Sequence, residues 1–205
     1  MLRILGRLTS SNVQKVLWVA DELGVACLRE DYGGAFGRND SSEYLGLNPN
    51  GLVPTVIDHD LVLWESNTIC RYLANKAGAH RLYPAAPGPR AMVERWMDWQ
   101  LSVIVPAVVP LFVTLIRTPE DQRDPAAIAR LREAAAAPFR ILEAALDGHP
   151  YLEGEALTLA DIGAGIWTHR WFGLGHGDPD SNLGAWYRRL GERAGYRKHV
   201  MIPLA

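Results

Sequence analysis

The hydrophobic pattern of the chain changes near residue 79, and this change limits the folds that the sequence can adopt. Before it, short apolar runs alternate with turn residues. After it, long stretches rich in Ala, Leu and Arg are typical of helices. The stretch between contains Pro84, Pro87 and Pro89 with Gly88, a composition that interrupts regular secondary structure. We therefore predict two domains, residues 1–78 and 90–205, joined by a linker at residues 79–89.

The first domain is predicted to belong to the α/β class. Its elements follow the order βαβ and then ββα, which favours a mixed sheet with helices on both faces. The predicted strands are Leu2–Leu5, Ala26–Asp31, Thr55–Ile57 and Leu61–Trp64. The predicted helical segments are Val13–Leu23, a turn at Ser42–Leu47, and Ser66–Ala77 with Ser66 as its cap.

The second domain is predicted to be all-helical. Asp124 followed by Pro125 is a typical helix start. Thr158 and Asp161 have the spacing of a capping box, in which each side chain bonds the backbone amide of the other. The expected helices are Arg90–Ile116, one from Pro125 to about Leu146, one opening at Thr158, and Leu183–Ala194.

Charge and hydropathy exclude several function classes. The net charge is −2, which gives no positive surface for nucleic acid or an anionic membrane. The most apolar run, Val103–Ile116, contains Pro106 and Pro110 and is shorter than the roughly 20 residues of a membrane span. We predict a buried, kinked helix at this run and a protein that binds neither nucleic acid nor membrane.

The cysteines and histidines predict no metal site. Cys27 and Cys70 form neither a CxxC motif nor a zinc-ligand spacing, and they fall inside predicted elements as packing residues. No histidine belongs to an HxxxH or HExxH motif. Two thiols without a disulfide framework favour a reducing compartment, and we expect a cytoplasmic protein.

Three short segments of the first domain are candidates for a binding site. Ser10, Ser11 and Asn12 lie at a strand-to-helix corner, where they either cap the helix or place a hydroxyl beside its anion-binding end. The second segment contains the Val53–Pro54 bond. It is either trans, the common state, or cis, in which case the Val53 backbone is presented to an extended peptide.

The third segment is Trp64–Asn67. Ser66 is a helix cap in the simpler interpretation. In the functional interpretation, its hydroxyl and the first helix amides bind a carboxylate, while Glu65 holds an ammonium group beside it. That pair of sites matches the head group of an amino acid.

Together these segments resemble the glutathione S-transferase family. The motifs are Ser-Ser-Asn before the first helix, NPNGLVP, LWESNTICRYL, LTLADIGAGIW and the closing NLGAWYRRLGERAGYRKHV. The resemblance covers essentially the whole chain and favours the bacterial, serine-type members (phi-, theta- or zeta-like). It implies a thioredoxin-like first domain, a helical second domain, a homodimer, and glutathione as co-substrate without a metal.

The resemblance also implies roles for individual residues. Ser10 takes the place of the family's catalytic serine, six positions before Val16, and Ser11 is the alternative. The remaining implied contacts with glutathione are Asn12 at the site, Val53 with a cis Pro54 for the cysteinyl backbone, Glu65 and Ser66 for the γ-glutamyl head, and Arg38 for the glycyl carboxylate.

The implied reaction is attack of the glutathione thiolate on a small hydrophobic electrophile. Candidates to line the electrophile pocket are Trp96, Trp99, Val103, Pro106, Thr168 and Trp171, although apolar residues at helical spacing more often belong to a core. Two alternatives stay open. One is a glutathione-dependent isomerase or disulfide or peroxide reductase, although Asn12 replaces the Cys of the zeta Ser-Ser-Cys signature. The other is a non-catalytic protein of the glutathione-binding fold.

Overall fold

The computed structural model describes residues 1–205 and contains four strands and eight helices. The strands are β1 Leu2–Leu5, β2 Cys27–Glu30, β3 Thr55–Asp58 and β4 Leu61–Trp64. The helices of the first half are α1 Ser11–Glu22, α2 Ser42–Leu47 and α3 Ser66–Lys76. Those of the second half are α4 Pro87–Arg117, α5 Pro125–Ala145, α6 Leu159–Gly173, α7 Asn182–Gly191 and α8 Ala194–His199.

The first half forms a mixed sheet of order β2-β1-β3-β4, as the element order predicts. β1 pairs with β2 in parallel and with β3 antiparallel, and β4 closes the edge as a hairpin with β3. Side chains alternate across β1, so Ile4 faces the main core while Leu5 packs with Tyr32 and Tyr44 on the other face. Since Tyr44 belongs to α2, helices cover both faces of the sheet.

The start of α3 differs from the prediction by one residue. Glu65, with a φ of 71°, occupies the capping position, and Ser66 is the first helical residue. The side chain of Ser66 does not cap α3 and instead donates to Asn12 Oδ1 over 3.1 Å. The local pattern could not distinguish the two positions, because a serine is common at either one.

α4 is longer and less buried than predicted. It runs from Pro87 to Arg117 and includes wide π turns at Gln100–Ile104 and Val113–Arg117. A π turn precedes Pro106, whose missing amide would otherwise interrupt the helix. By length and composition α4 could cross a membrane, with a mean hydropathy of 2.0 in an 18-residue window that is 28% buried. The predicted helix Arg90–Ile116 is confirmed to within three residues, but the predictions that its apolar run is too short to span a membrane and that it is buried are wrong.

The end of the chain also departs from the prediction. One helix was expected over Leu183–Ala194, but α7 ends at Gly191 and α8 begins at Ala194. The capping box is present, with the Thr158 amide donating to Asp161 over 2.9 Å.

The two halves share one continuous core, and α1 lies at its centre. Trp18 of α1 is fully buried, with its ring 4.7 Å from that of Tyr196 in α8. A Cβ atom at Gly165 would come within 2.8 Å of Leu190 and 3.3 Å of the Trp18 indole, and one at Gly195 within 3.0 Å of that indole. Glu22, at the other end of α1, accepts a 2.7 Å hydrogen bond from Arg193. α1 is thus fixed between the sheet and the helical half, and this fixes its N-terminus.

Candidate functional site

A cavity of about 260 Å³ lies between the loops of the first half and the helices of the second. Its first-half lining consists of Arg7, Thr9, Ser10, Ser11, Asn12, Gly33, Asn39, Gly51, Leu52 and Val53. Its second-half lining consists of Val109, Phe112, Val113, Arg117, Trp167 and Arg170. Of the residues predicted from sequence, the structure brings Ser10, Ser11, Asn12 and Val53 into this lining.

Ser10 lies at the N-terminus of α1 with extended backbone angles (φ −78°, ψ 122°). Its side chain forms no capping hydrogen bond, so the simpler interpretation of Ser10 as a side-chain cap is wrong. The first backbone bond of α1 runs from Gln14 to the Ser10 carbonyl (2.9 Å), which leaves the preceding amides without an intrahelical acceptor. A free hydroxyl and free amides at the positive end of a helix are suited to an anion.

Asn12 connects this corner to the start of α3. Its Oδ1 accepts the hydrogen bond from Ser66, which is 4% exposed. The first backbone bond of α3 runs from Ile69 to the Glu65 carbonyl (2.9 Å), so α3 also presents free amides. The exposed carboxylate of Glu65 has no ion-pair or hydrogen-bond partner in the chain. Glu65 and Ser66 therefore lie beside the cavity, although outside its lining.

The loop before β3 presents backbone to the cavity. The Val53–Pro54 bond is cis, as the family resemblance implies, and Pro54 is buried behind Val53. The carbonyl of Leu52 accepts from Tyr44 Oη (2.7 Å) and Asn48 Nδ2 (2.8 Å), and these bonds hold the loop. No hydrogen bond within the chain involves the amide or carbonyl of Val53, so both are free to pair with a ligand.

Arg38 is not brought to the site. It is exposed, donates to Tyr32 Oη over 2.7 Å, and lies with its guanidinium 4.0 Å from the Tyr32 ring centroid. The residues that line this side of the cavity are Arg7 and Asn39. Arg7 packs across the loop, so a side chain on Gly34 would come within 2.9 Å of its Cδ.

None of the six candidates for the electrophile pocket lines the cavity. The indole of Trp96 donates to Glu153 (2.6 Å), the ring of Trp171 stacks on Phe139, and Thr168 is fully buried. These residues face the core or the outside of the helical half. Helical periodicity predicts that a face of a helix is buried but not what it is buried against. It therefore did not identify the residues of the helical half that line the cavity.

Three arginines surround the cavity, and sequence reasoning predicted none of them. Arg7 follows β1, Arg117 ends α4, and Arg170 lies within α6. Burial, and then the nearby charge of Arg117, lower the pKa of Arg170 to about 10, and the same two causes lower the pKa of Arg7. Their positions in sequence are far apart, so no local motif could have revealed the cluster.

The buried side chain of Lys15 belongs to a hydrogen-bond network beside the site. Lys15 of α1 is 1% exposed and donates to Asn67 Oδ1 (2.9 Å) and Gln100 Oε1 (3.3 Å). Asn67 in turn donates to the Met97 carbonyl (2.8 Å). This network joins α1, α3 and α4 directly behind Ser66. Burial lowers the pKa of Lys15 from its ordinary 10.5 to about 8.

The cysteines are not candidate nucleophiles. Burial raises the pKa of Cys70 to about 12 and also raises the pKa of Cys27. Reactive cysteines have a lowered pKa, so both thiols fit the predicted packing role.

Both halves of the chain match known proteins. Residues 2–75 match the family model of the glutathione S-transferase N-terminal domain, and residues 104–193 match that of its C-terminal domain. The chain is 39% identical to glutathione S-transferase GstB of Escherichia coli over the full length of both proteins.

Two solved structures are similar over nearly the whole chain. The theta class glutathione S-transferase of Xanthomonas axonopodis pv. citri, with glutathione bound, is 43% identical with a TM-score of 0.90, covering 100% of this chain and 99% of that one. The Bombyx mori glutathione transferase BmGSTD1 is 26% identical with a TM-score of 0.87, covering 97% of this chain and 92% of that one.

Proposed function

This chain belongs to the glutathione S-transferase family, and we propose that it ionises glutathione and directs the thiolate at a small electrophile. The observation that carries this proposal is the Ser10 hydroxyl, which has no capping partner at the N-terminus of α1 and lies in the lining of the cavity. A hydroxyl that does not cap its own helix is free to donate to a sulfur placed there.

Ser10 and the N-terminal amides of α1 can supply the free energy needed to lower the pKa of the glutathione thiol. A free thiol has a pKa of about 8.5, and lowering it by about two units requires about 2.7 kcal/mol. A hydrogen bond to a charged acceptor contributes about 1.5–3 kcal/mol and a helix terminus about 0.3–1 kcal/mol. Ser10 with the amides of α1 can therefore supply the stabilisation. Ser10 stays a hydrogen-bond donor throughout and forms no covalent bond.

The other contacts proposed for glutathione follow the chemistry of its parts. Glu65 binds the ammonium of the γ-glutamyl head, and Ser66 with the first amides of α3 binds its carboxylate. When glutathione binds, the Ser66 hydroxyl turns its single proton from Asn12 Oδ1 to this carboxylate. The Val53 backbone pairs with the cysteinyl residue. Since Arg38 points away, we assign the glycyl carboxylate to Arg7, which lies over the Gly33–Gly34 backbone.

We further propose that two chains form a homodimer. Leu61 and Trp64 on the edge strand β4 are 40% and 41% exposed, and Met92 and Leu101 on α4 are 42% and 37% exposed. The proposed dimer would cover these exposed apolar side chains. Light scattering after gel filtration is expected to give twice the chain mass, and a concentration-independent monomer mass would contradict the dimer.

We also propose that the enzyme is soluble and cytoplasmic. Although α4 is long and apolar, Val93, Met97 and Leu111 on its inner side are buried within the helical half. Charged residues, among them Arg95 and Asp98, interrupt its N-terminal half. The two free cysteines fit a reducing compartment.

Calorimetry and a turnover panel test the proposed reaction. Glutathione is expected to bind, and chlorodinitrobenzene or another aryl halide is expected to be conjugated faster than in buffer. Absence of glutathione binding would contradict the site. Binding without turnover of any aryl halide, epoxide, hydroperoxide or mixed disulfide would identify a non-catalytic protein instead. Turnover of hydroperoxides or disulfides alone would identify a reductase.

A further inference from the structure

The cavity carries positive charge that no acidic residue balances. Arg7, Arg117 and Arg170 all contribute to its lining, and the lining contains no Asp or Glu. None of the three pairs with an Asp or Glu side chain, whereas arginines elsewhere in the chain, such as Arg71 and Arg193, do. Uncompensated like charges around a partly desolvated space are unfavourable until an anion enters.

These three arginines use few of their N–H donors in hydrogen bonds within the chain. Arg170 donates to Gln14 Oε1 (3.2 Å) and to the Thr9 carbonyl (3.3 Å). Arg117 donates to a backbone oxygen of the last residue, Ala205 (3.2 Å). No side-chain hydrogen bond involves Arg7. A guanidinium has five N–H donors, so each arginine can still bind an anion.

Arg117 and Arg170 both lie close to one aromatic ring, that of Phe112. Their Cζ atoms are 5.4 Å and 5.2 Å from the centroid of Phe112. Val109 and Val113 of α4 and Trp167 of α6 supply apolar surface to the same wall. An aromatic surface with cationic groups at its edge is complementary to an apolar molecule that ends in an anionic group.

Glutathione does not account for all of this charge. It carries two carboxylates, of which the γ-glutamyl one is assigned to Ser66 and the glycyl one to Arg7. Its thiolate is assigned to Ser10. Arg117 and Arg170 come from the helical half, whereas the glycine loop belongs to the first half. They have no assigned partner in bound glutathione.

Arg117 and Arg170 differ in how far each contributes to the fold. Arg170 is 6% exposed, and its bonds join α6 to the loop that carries Ser10, so it also has a positioning role. Arg117 is exposed at the end of α4. Its side chain is therefore the one that can reach a substrate without disturbing the fold.

We propose that the second substrate carries an anionic group, a carboxylate in the simplest case, and that Arg117 binds it beside Phe112 while Arg170 supplies fixed positive charge at the cavity floor. This inference rests on the proposed conjugation of glutathione and narrows its electrophile from hydrophobic to amphipathic and acidic. Arg117 is then a specificity-determining residue and takes no part in ionising the thiol.

A matched pair of electrophiles tests the proposal. Chlorodinitrobenzoate and chlorodinitrobenzamide, each substituted para to the chlorine, differ in one charged group. In both reactions the glutathione sulfur forms a bond to the ring carbon, the carbon–chlorine bond breaks, and chloride leaves with the bonding pair. The uncatalysed rate of each compound with glutathione corrects for its intrinsic reactivity.

The wild-type enzyme is expected to favour the benzoate over the benzamide by about tenfold or more in corrected kcat/KM, as a charge-assisted hydrogen bond allows. In Arg117→Gln the ratio of the corrected kcat/KM for the benzoate to that for the benzamide is expected to fall to about one. Arg117→Lys, which keeps the charge, is expected to retain part of the preference. Added salt is expected to reduce the wild-type preference, because Arg117 is exposed.

The matched control is Arg140→Gln, which removes the same charge from an exposed arginine of α5 outside the cavity. It is expected to keep the benzoate preference. Thermal unfolding of each variant checks that the fold is intact. Calorimetry with the two preformed glutathione conjugates gives a readout that needs no turnover, and the benzoate conjugate is expected to bind more tightly through Arg117.

Three results would overturn the anion site. Equal corrected rates for the two electrophiles would show that charge is not recognised. If Arg117→Gln lowers the corrected kcat/KM equally for the benzoate and the benzamide, Arg117 acts at the thiolate. If the variant raises only the KM for glutathione, Arg117 binds the glycyl carboxylate. In each case conjugation of the benzamide leaves the proposed function standing. Failure to conjugate either compound, with both preformed conjugates unbound, would reject the proposed function itself.

Discussion

Replacement of Lys15 by Met tests the buried network that supports the site. Lys15 is 1% exposed, and its ammonium is held by two neutral oxygens, those of Asn67 and Gln100, with no carboxylate within hydrogen-bond reach. Burial lowers its pKa from 10.5 to about 8. At about 1.36 kcal/mol per pKa unit, this difference corresponds to about 3.4 kcal/mol.

The sign of the pH dependence follows from proton binding. Between pH 8 and 10.5 the unfolded chain still holds the Lys15 proton while the folded chain has released it, so stability from this group rises with pH. Between about pH 7 and about pH 10 the gain is about 2.5 kcal/mol. Met is similar in length and cannot ionise, so Lys15→Met is expected to lack the gain.

Urea unfolding of both proteins across this pH range measures the effect. The mutation leaves the oxygens of Asn67 and Gln100 without a donor, which is a cost that does not vary with pH. The difference in unfolding free energy between wild type and variant is therefore expected to shift by about 2.5 kcal/mol in favour of the wild type as pH rises. Lys198→Met removes an exposed lysine charge and is the control. A pH-independent difference for Lys15→Met would refute the reasoning.

Two further substitutions test the head-group site and the helical half. Glu65→Gln is expected to weaken glutathione binding about tenfold by calorimetry, because it removes the charge that faces the ammonium. Glu43→Gln on α2 should bind normally, and a glutathione analogue without the amino group should not distinguish Glu65→Gln from wild type. If Glu65→Gln binds glutathione as wild type does, the assigned orientation is wrong. Asp161→Ala is expected to lower unfolding free energy by about 3 kcal/mol or more, since it leaves buried donors of Leu152, Thr158 and Trp186 unpaired. Burial raises the pKa of Asp161 from 3.8 to about 6, so its contribution falls as pH rises through that interval. Asp161→Asn, which cannot ionise, should lack this pH dependence in denaturant titrations, and identical pH profiles for Asn variant and wild type would contradict it.

The sequence was sufficient for the elements whose signals are local. Strand β1 was predicted with its observed bounds, because four apolar-patterned residues are followed by Gly6. The cap at Asp124 and the capping box at Thr158 were also predicted, since a cap is a property of a few neighbouring residues. α4 begins three residues before its prediction, because Pro87 and Pro89 lie in its first turn, where an amide has no intrahelical acceptor.

Part of the cavity lining from the first half was predictable from short motifs, whereas the lining from the helical half was not. Ser10 and Val53 lie in continuous segments with a recognisable order. The opposing wall includes Arg117 and Arg170, which only the packing of α6 against α1 and α4 brings together. Residues that meet through tertiary packing leave no spacing in the sequence.

The pKa of the thiol in bound glutathione tests most directly whether Ser10 ionises it. Ultraviolet absorbance of the thiolate, followed as the enzyme–glutathione complex is titrated, gives this pKa without an electrophile. In the wild type it is expected about two units below the roughly 8.5 of a free thiol. Ser10→Ala is expected to raise it by about one unit or more, and Ser11→Ala to leave it nearly unchanged. An unchanged pKa in Ser10→Ala, or a rise only in Ser11→Ala, would contradict the assignment of Ser10.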